Sequence, residues 1–270
     1  MFRHPRQSPI ESFQNRQNAL LFGLRSFLQW GRGPYSETAE SKQGLFSETS
    51  QALANSVIER YKLEAFYQSA GRQRFLENMT LLTQLESLLP EGFSSTQNTQ
   101  HWLDVGAKNW SYVEALWRFA AQKSSGQFTL TGLELDAYRR YTNLHTRYEY
   151  AEAFTRHLPN THYKVGNILA HTGQYRVISH FLPFVFKRPL RRWGLPDAYF
   201  QPEEILLHLE QQLAPGGRLL IVNQGREEAD EQARLLKHTG IQQRLNVTEI
   251  GPLPDPFGMY QHTRYGFTVA

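Results

Sequence analysis

Short β-type runs alternate with helical patterns from residue 101 onward, and this alternation restricts the fold more than any other feature of the chain. The strand-like runs cover 101–106, 127–134, 161–165, 175–179 and 218–223, and the helical patterns cover 112–122, 137–158, 202–213 and 227–239. Strands that are separated by helices pair in parallel, so the pattern predicts an α/β fold. The last two runs, 244–250 and 262–269, are separated only by a proline-rich loop, which predicts an antiparallel pair at the sheet edge.

The first 95 residues differ in composition and in hydrophobic spacing. They are rich in Gln, Ser, Glu and Leu, and they carry helical spacing over 10–30 and 51–89. We therefore predict two parts, an N-terminal helical extension over 1–95 and an α/β domain over 96–270. We expect the extension to cover a ligand site or to mediate self-association into a homo-oligomer.

Two local signals predict how helices of the α/β part begin. Ser111 and Glu114 have the S-x-x-E spacing of a capping box, which satisfies first-turn N–H groups. Asp136 stands where it would cap the helix predicted over 137–158.

The composition excludes several kinds of chemistry. The chain has no cysteine, which rules out disulfides, Cys-ligated zinc, iron–sulfur clusters and thiolate nucleophiles. The net charge of +4 shows no concentrated excess in either part, unlike a dedicated nucleic-acid-binding protein. No metal-ligand spacing stands out, and the longest apolar run near the N-terminus is too short for a bilayer span. We expect a soluble, cytoplasmic protein without a metal.

The ends of the first two predicted strands carry the residues of a candidate ligand site. Ligands of open α/β sheets bind beyond the carboxyl ends of the strands. Gly106 allows a sharp turn there, and Glu134 ends the second strand, where its carboxylate is placed to accept hydrogen bonds from both hydroxyls of a ribose. Asp104 either holds the first turn or contacts the ligand directly. This arrangement predicts an adenosine-type ligand without a 2′-phosphate.

From Trp102 to Ala270 the sequence resembles the class I S-adenosylmethionine (SAM)-dependent methyltransferases. The features that carry the resemblance are the LDVG turn at 103–106, the GLE end at 132–134, the GNI segment at 166–168, the LAPGGRL stretch at 213–219 and the closing hairpin. The resemblance implies a seven-stranded Rossmann-like sheet, parallel with a C-terminal antiparallel hairpin, with SAM as the cofactor. Two departures are that Gly106 alone remains of the family's glycine-rich motif and that Asn167 replaces its usual acidic residue.

By this resemblance we expect the cofactor to contact Asp104, Gly106, Lys108, Asn109, Glu134, Leu135, Asn167, Ile168 and His180. Lys108 is expected to pair with the cofactor's carboxylate. His180 is open to three readings, as a general base, a cofactor-lining residue or a packed histidine. Nine residues, 166–174, connect the third and fourth strands, and extended they reach about 30 Å, enough to cross the first two strands without a helix.

The basic run 187–192 follows the fourth strand and is the candidate substrate contact. Lys187, Arg188 and Arg191 would receive an anionic group such as a phosphate, a carboxylate or an RNA backbone, unless the run is simply a solvated loop. The acceptor, a small molecule or RNA, is not identified by any motif, and no catalytic residue is assigned.

Three functions remain open at this point. The first is a SAM-dependent methyltransferase. The second is a non-catalytic binding or scaffolding protein with the same fold, which the eroded glycine motif suggests. The third is a nicotinamide-dependent dehydrogenase, which the missing G-x-G-x-x-G motif and the closing hairpin oppose.

Overall fold

A computed structural model of the chain describes residues 9–89, 93, 99–124 and 126–270, and within them a single seven-stranded sheet is present. The strands are β1 (Thr99–Val105), β2 (Gln127–Glu134), β3 (Thr161–Val165), β4 (Tyr175–Phe181), β5 (Leu213–Gln224), β6 (Val247–Ile250) and β7 (Arg264–Val269). The helices are α1 (Pro9–Leu28), α2 (Glu48–Tyr61), α3 (Glu64–Ser69), α4 (Arg72–Leu88), α5 (Val113–Lys123), α6 (Arg147–Thr155), α7 (Lys187–Arg192), α8 (Pro202–Gln211), α9 (Gly225–His238) and α10 (Ile241–Arg244).

The strand order β3-β2-β1-β4-β5-β7-β6 confirms the predicted fold class. β1 pairs in parallel with β2 and β4, whereas β7 lies antiparallel between β5 and β6. The chain between β3 and β4 crosses β2 and β1 with a single 3₁₀ turn, Ile168–Ala170, as the nine-residue span allows. The strand order therefore reverses between β1 and β4, and the connections that follow these strands meet at the same edge of the sheet.

The long helix predicted over 137–158 is wrong. α6 begins only at Arg147, with Thr146 as its N-cap in a complete capping box with Glu149. The residues before it form turns that are closed by a bridge between Arg140 and Thr146. Asp136 therefore does not cap a helix, and its carboxylate instead forms an ion pair with Arg25 of α1 at 2.9 Å. The T-x-x-E signature at Thr146 is the signal for the true helix start.

The predicted capping box at Ser111 and Glu114 is also wrong. α5 begins after Tyr112 without a side-chain cap. The Ser111 hydroxyl donates to Glu77 at 2.6 Å instead, and the Glu114 carboxylate accepts from Arg118 and lies 2.8 Å from His157 Nε2. Tertiary partners thus replace the local cap, because buried polar side chains bond to whatever donors the packing brings near.

The helical region predicted over 51–89 consists of α2, α3 and α4. Lys62 ends α2 in a left-handed conformation, and Gly71 precedes α4. In the predicted strand over 244–250, the first residue ends α10 and only Val247–Ile250 pairs in the sheet.

Helix α4 packs onto the sheet rather than standing apart from it. Phe75, Leu82 and Leu88 share one buried apolar cluster with Trp102 of β1 and Phe119 of α5. The hydroxyl of Thr268 in β7 also donates to the backbone carbonyl of Leu88 at 2.7 Å. The predicted boundary between residues 95 and 96 lies outside the described residues, and the division into two parts stays a prediction. Among the described residues, no helix has the length and apolar character that a membrane span requires.

A substitution at Gly132 of β2 would test how closely the core is packed between this strand and Trp110. A Cβ at this position would lie 2.7 Å from ring atoms of Trp110, which is fully buried. We expect Gly132→Ala to lower the free energy of unfolding by about 1–3 kcal/mol, because a closely packed core does not accept an extra methyl group. Urea denaturation measures this. The matched variant Gly23→Ala, on α1 with open space around it, should be neutral or slightly stabilising; equal losses in both variants would contradict the packing argument.

Candidate functional site

The turns after β1 and β2 are joined by backbone hydrogen bonds. The amides of Gly106 and Ala107 donate to the carbonyl of Leu133 at 2.9 and 3.1 Å. Gly106 has φ of +76°, and a Cβ there would meet nothing within 4 Å. The chain can therefore turn sharply at Gly106 and leave an open surface beside the end of β2.

This edge of the sheet opens into a cavity of about 550 Å³, within the size range of ligand sites. Seven of the nine predicted cofactor contacts line it: Gly106, Lys108, Glu134, Leu135, Asn167, Ile168 and His180. Asp104 and Asn109 do not. The structure thus brings together residues from the turns after β1, β2 and β3 and from the end of β4.

Glu134 is buried and already makes three hydrogen bonds. Its carboxylate accepts from the backbone amides of Lys108 and Asp136, both at 2.8 Å, and from Arg147 Nη1 at 2.9 Å. A carboxylate offers about four acceptor positions, so roughly one remains for a ligand. Glu134 is therefore both the residue that holds the Lys108 turn and a partly available acceptor in the cavity.

Arg147 and Trp193 form a part of the site that sequence reasoning missed. The guanidinium of Arg147 and the ammonium of Lys108 each lie 5.2 Å from the Trp193 ring centre, close enough for cation–π attraction. Arg147 is buried, and its Nε has no hydrogen-bond partner among the described residues. The predicted helix over 137–158 hid Arg147 in mid-helix, whereas the capping box at Thr146 and Glu149 would have placed it in a first turn facing the site.

Lys108 brings a half-buried ammonium group to the cavity. Burial lowers the pKa of its ammonium, and the nearby carboxylates of Glu77 and Glu134 act in the opposite direction. Its backbone has φ of +57°, a conformation that the bond from its amide to Glu134 holds in place. An anionic ligand group would supply the ion pair that this ammonium lacks among the described residues.

Asp104 lies behind the cavity and is fully buried. Its carboxyl group accepts from the hydroxyls of Ser179 at 2.6 Å and Tyr112 at 2.9 Å, which link β1 to β4 and α5. Burial raises the pKa of Asp104 from 3.8 to about 7. Of the two roles considered from sequence, these contacts favour holding the β1 turn, and a direct ligand contact stays a prediction.

The crossing between β3 and β4 supplies an amide and an apolar wall. Asn167 Oδ1 accepts from the backbone amide of Leu169 at 3.1 Å, which leaves its amino group as the donor for a ligand. Ile168 is buried against Leu133 in the second apolar cluster. Asn109 lies outside the lining, and its buried Oδ1 has no partner within the part of the chain that is described.

His180 lines the cavity as a neutral imidazole. Burial lowers its pKa from 6.5 to about 4. Its Nδ1 is buried without a hydrogen-bond partner in the described residues. A neutral ring with an unpartnered nitrogen is suited to a hydrogen bond with a ligand. Proton abstraction near neutral pH would be inefficient because the ring is a weak base there.

The basic run forms the short helix α7 instead of a loop. Lys187 Nζ lies 5.6 Å from the Phe200 ring centre, and Arg188 is exposed outside the lining. Arg191 turns away from the cavity and forms ion pairs with Asp197 at 2.6 Å and Glu11 at 3.0 Å. Arg192, which was not singled out from sequence, lines the cavity. The substrate role of Lys187, Arg188 and Arg191 stays a prediction.

Residues of α4 and of the ends of β5 and β7 complete the lining of the cavity. Glu77, Gln224, Glu228, Tyr260 and Arg264 line it, together with the aromatic loop after β4. The guanidinium of Arg264 lies 3.2 Å from the Tyr260 ring centre. Burial raises the pKa of Glu228, which also accepts from the Gln224 amide at 2.9 Å. These residues come from segments far apart in the sequence, and no local motif identifies them.

The sequence matches no protein-family model and no curated protein. Solved structures give fold-level similarity. A SAM-dependent methyltransferase from Aquifex aeolicus is 14% identical over 73% of this chain and 97% of that one, with a TM-score of 0.46. A DhpI–SAH complex is 12% identical over 83% of this chain and 98% of that one, with a TM-score of 0.44. Magnesium protoporphyrin IX methyltransferase (ChlM) from Synechocystis PCC 6803 with bound SAM is 10% identical over 73% of this chain and 79% of that one, with a TM-score of 0.43. The fold class rests on the strand order, and these similarities add no argument on function.

The raised pKa of Asp104 predicts a pH-dependent stability. Between about pH 4 and 7 the folded protein retains a proton that the unfolded chain has released, so this group lowers stability as pH rises through that window. Asn does not titrate, so we expect the free energy of unfolding of Asp104→Asn, relative to that of the wild type, to rise by about 1–3 kcal/mol from pH 5 to pH 8. Urea denaturation of both proteins at several pH values measures the difference. A difference that does not change with pH would contradict a protonated Asp104.

The lowered pKa of His180 predicts the opposite trend. Above pH 6.5 its contribution to stability is fully present, and it is lost as pH falls towards 4, because the unfolded chain then binds a proton that the folded protein does not. The free energy of unfolding of His180→Asn, relative to that of the wild type, should therefore be lowest at pH 7–8 and should be about 2 kcal/mol higher at pH 5. The same denaturation series tests this, and a parallel shift of His180→Asn and Asp104→Asn would argue against both assignments.

Proposed function

We propose that this chain is a SAM-dependent methyltransferase and that SAM occupies the cavity beside β1 and β2. The observation that carries this proposal is the junction of the Gly106 turn with Glu134, where a positive-φ glycine and a buried carboxylate border the same cavity. Such a junction at a reversal of strand order suits a nucleoside. The family resemblance of the sequence supplies the choice of SAM among adenosine-type ligands.

The residues of the cavity fit this cofactor. The volume of about 550 Å³ suits a ligand of this size, and the surface at Gly106 is free of side chains. Two buried nitrogens on the lining, His180 Nδ1 and Arg147 Nε, have no partner among the described residues and would gain one from a polar ligand. The Trp193 ring and the side chains of Leu133 and Ile168 offer apolar faces for a purine.

Each polar group has an assignable task in the proposed complex. Lys108 would pair with the amino-acid carboxylate, and the Asn167 amide would bond to the adenine edge. The remaining acceptor position of Glu134 would take one ribose hydroxyl, while Arg147 keeps its hydrogen bond to the carboxylate. Leu135, Ile168 and Gly106 would line the nucleoside without hydrogen bonds from their side chains.

Bound SAM would supply an electrophilic methyl group on its sulfonium. The chain's own contribution would be to hold an acceptor in line with that methyl group and to exclude water. His180 is neutral and Asp104 is buried behind the lining, so neither is required to move a proton in this proposal.

The acceptor would bind beside the residues that α4, β5 and β7 contribute to the lining. Arg264 and Arg192 line the cavity together with the carboxylates of Glu77 and Glu228, so the lining offers ionic partners of both signs. The anionic acceptor expected from the basic run 187–192 stays a prediction. The acceptor itself, a small molecule or RNA, remains unassigned within this proposal.

Calorimetric titration with SAM, its demethylated product and NAD tests the cofactor. We expect micromolar affinity for SAM and its product and no binding of NAD. Glu134→Gln should weaken SAM binding about tenfold or more, because the amide cannot hold Arg147 and the Lys108 turn while accepting from ribose. Glu204→Gln, at an exposed position of α8, is the matched control and should bind like the wild type.

The outcomes separate the three functions that the sequence leaves open. Binding of NAD alone would favour a dehydrogenase. If the folded protein binds none of the three ligands, the proposed function is contradicted. Equal SAM affinity in Glu134→Gln and the wild type would remove Glu134 from the site and leave the cofactor to be located elsewhere in the cavity.

A further inference from the structure

Helix α1 is amphipathic, but its polar face packs against the protein and its apolar face is exposed to solvent. Its inward face is largely polar: Asn18 donates to the carbonyls of Arg191 and Leu195, Asn15 accepts from the Asp197 amide, and Arg25 pairs with Asp136. Its exposed apolar residues are Ile10, Phe13, Leu20, Leu21, Leu24, Phe27 and Leu28, followed by Trp30. Phe27 is 84% exposed and Leu20 is 69% exposed. A surface helix ordinarily buries its apolar stripe, so this face indicates an interaction surface.

The charge around this face identifies its partner. The first 32 residues contain five arginines and one glutamate, so they carry the whole net charge of +4, and the other 238 residues are balanced. The single acid, Glu11, is ion-paired with Arg191. Arg16 and Arg32 are exposed along the helix and just after it. An apolar stripe of Leu, Phe and Trp that is flanked by arginines matches a helix lying in the interface of an anionic bilayer.

A second copy of the chain fits this face less well. Helices that pair through such a stripe usually carry opposite charges beside the seam. Here the flanking charge is arginine, and no carboxylate lies on the outward side of α1 within the described residues to pair with it. Two copies would bring like charges together, whereas lipid phosphates would neutralise them.

We propose that α1 attaches this protein to anionic membrane surfaces, with its apolar side chains inserted among the lipids and its arginines at the phosphates. This goes beyond the proposed methyl transfer and does not depend on it. The attachment would hold the cavity next to the membrane, because Phe22 of α1 packs against Leu190 and Leu195, which line the cavity. The ring of Tyr199, another lining residue, lies 5.0 Å from that of Phe22.

Co-sedimentation of the full chain with vesicles tests the attachment without SAM. We expect binding to phosphatidylcholine vesicles that contain about 30% phosphatidylglycerol, weak binding to pure phosphatidylcholine, and weaker binding at high salt. Leu24→Glu should reduce the binding constant about tenfold or more, because a charge replaces an inserted side chain. Arg16→Gln should reduce it roughly fivefold.

The matched control is Leu53→Glu on α2. Leu53 is 40% exposed and Leu24 is 49% exposed, so neither substitution disturbs a core, and unchanged melting curves verify this. The control should bind vesicles like the wild type. The proposal is overturned if the wild type stays in the supernatant, or if Leu24→Glu and Leu53→Glu sediment equally. It is also overturned if light scattering shows a vesicle-free dimer that Leu24→Glu dissociates, since a second copy would then be the occupant.

Discussion

The carboxylate of Glu134 is the contact on which the site depends. It accepts the Lys108 amide and thereby fixes the turn after β1 in a left-handed conformation that few side chains adopt without support. A buried carboxylate requires a counter-charge, and Arg147 supplies it from the first turn of α6. Arg147 and Lys108 then lie near Trp193, which follows α7, and α1 docks on α7 and the residues after it. The buried carboxylate of Glu134 is thus connected to helix α1 through Arg147, Trp193 and α7.

Burial changes the pKa of two other ionisable groups near this carboxylate. Burial raises the pKa of Asp104 to about 7 and lowers that of His180 to about 4, which in each case favours the uncharged form relative to an exposed group. The cavity lining also contains the acidic side chains Glu77, Glu134 and Glu228 and the basic side chains Lys108, Arg147, Arg192 and Arg264. A bound molecule would therefore meet ionisable groups of both signs as well as apolar side chains.

The N-terminal helices have different relations to this site. α4 is part of the main core and supplies Glu77 and Leu81 to the cavity wall. α1 contributes little apolar burial and is held by amide hydrogen bonds and ion pairs, which leaves its apolar side for another surface. Because the helix covers α7 on one side and faces solvent on the other, whatever binds its outer face also lies close to the cavity.

The sequence alone predicted an α/β fold because its strands alternate with helices, and the family resemblance added the seven-stranded sheet. β2 and β3 begin and end where their patterns predict. The sequence also placed Gly106, Lys108, Glu134, Asn167 and His180 at one edge, since parallel strands bring their carboxyl ends together. Tertiary structure decided the partners. Arg147, Trp193, Arg192 and Arg264 reach the cavity only through packing, and Asp136 and Ser111 bond to distant residues instead of capping helices. Local spacing shows which backbone amides need a cap, whereas the partner of a buried charge is set by what the fold brings within hydrogen-bond distance.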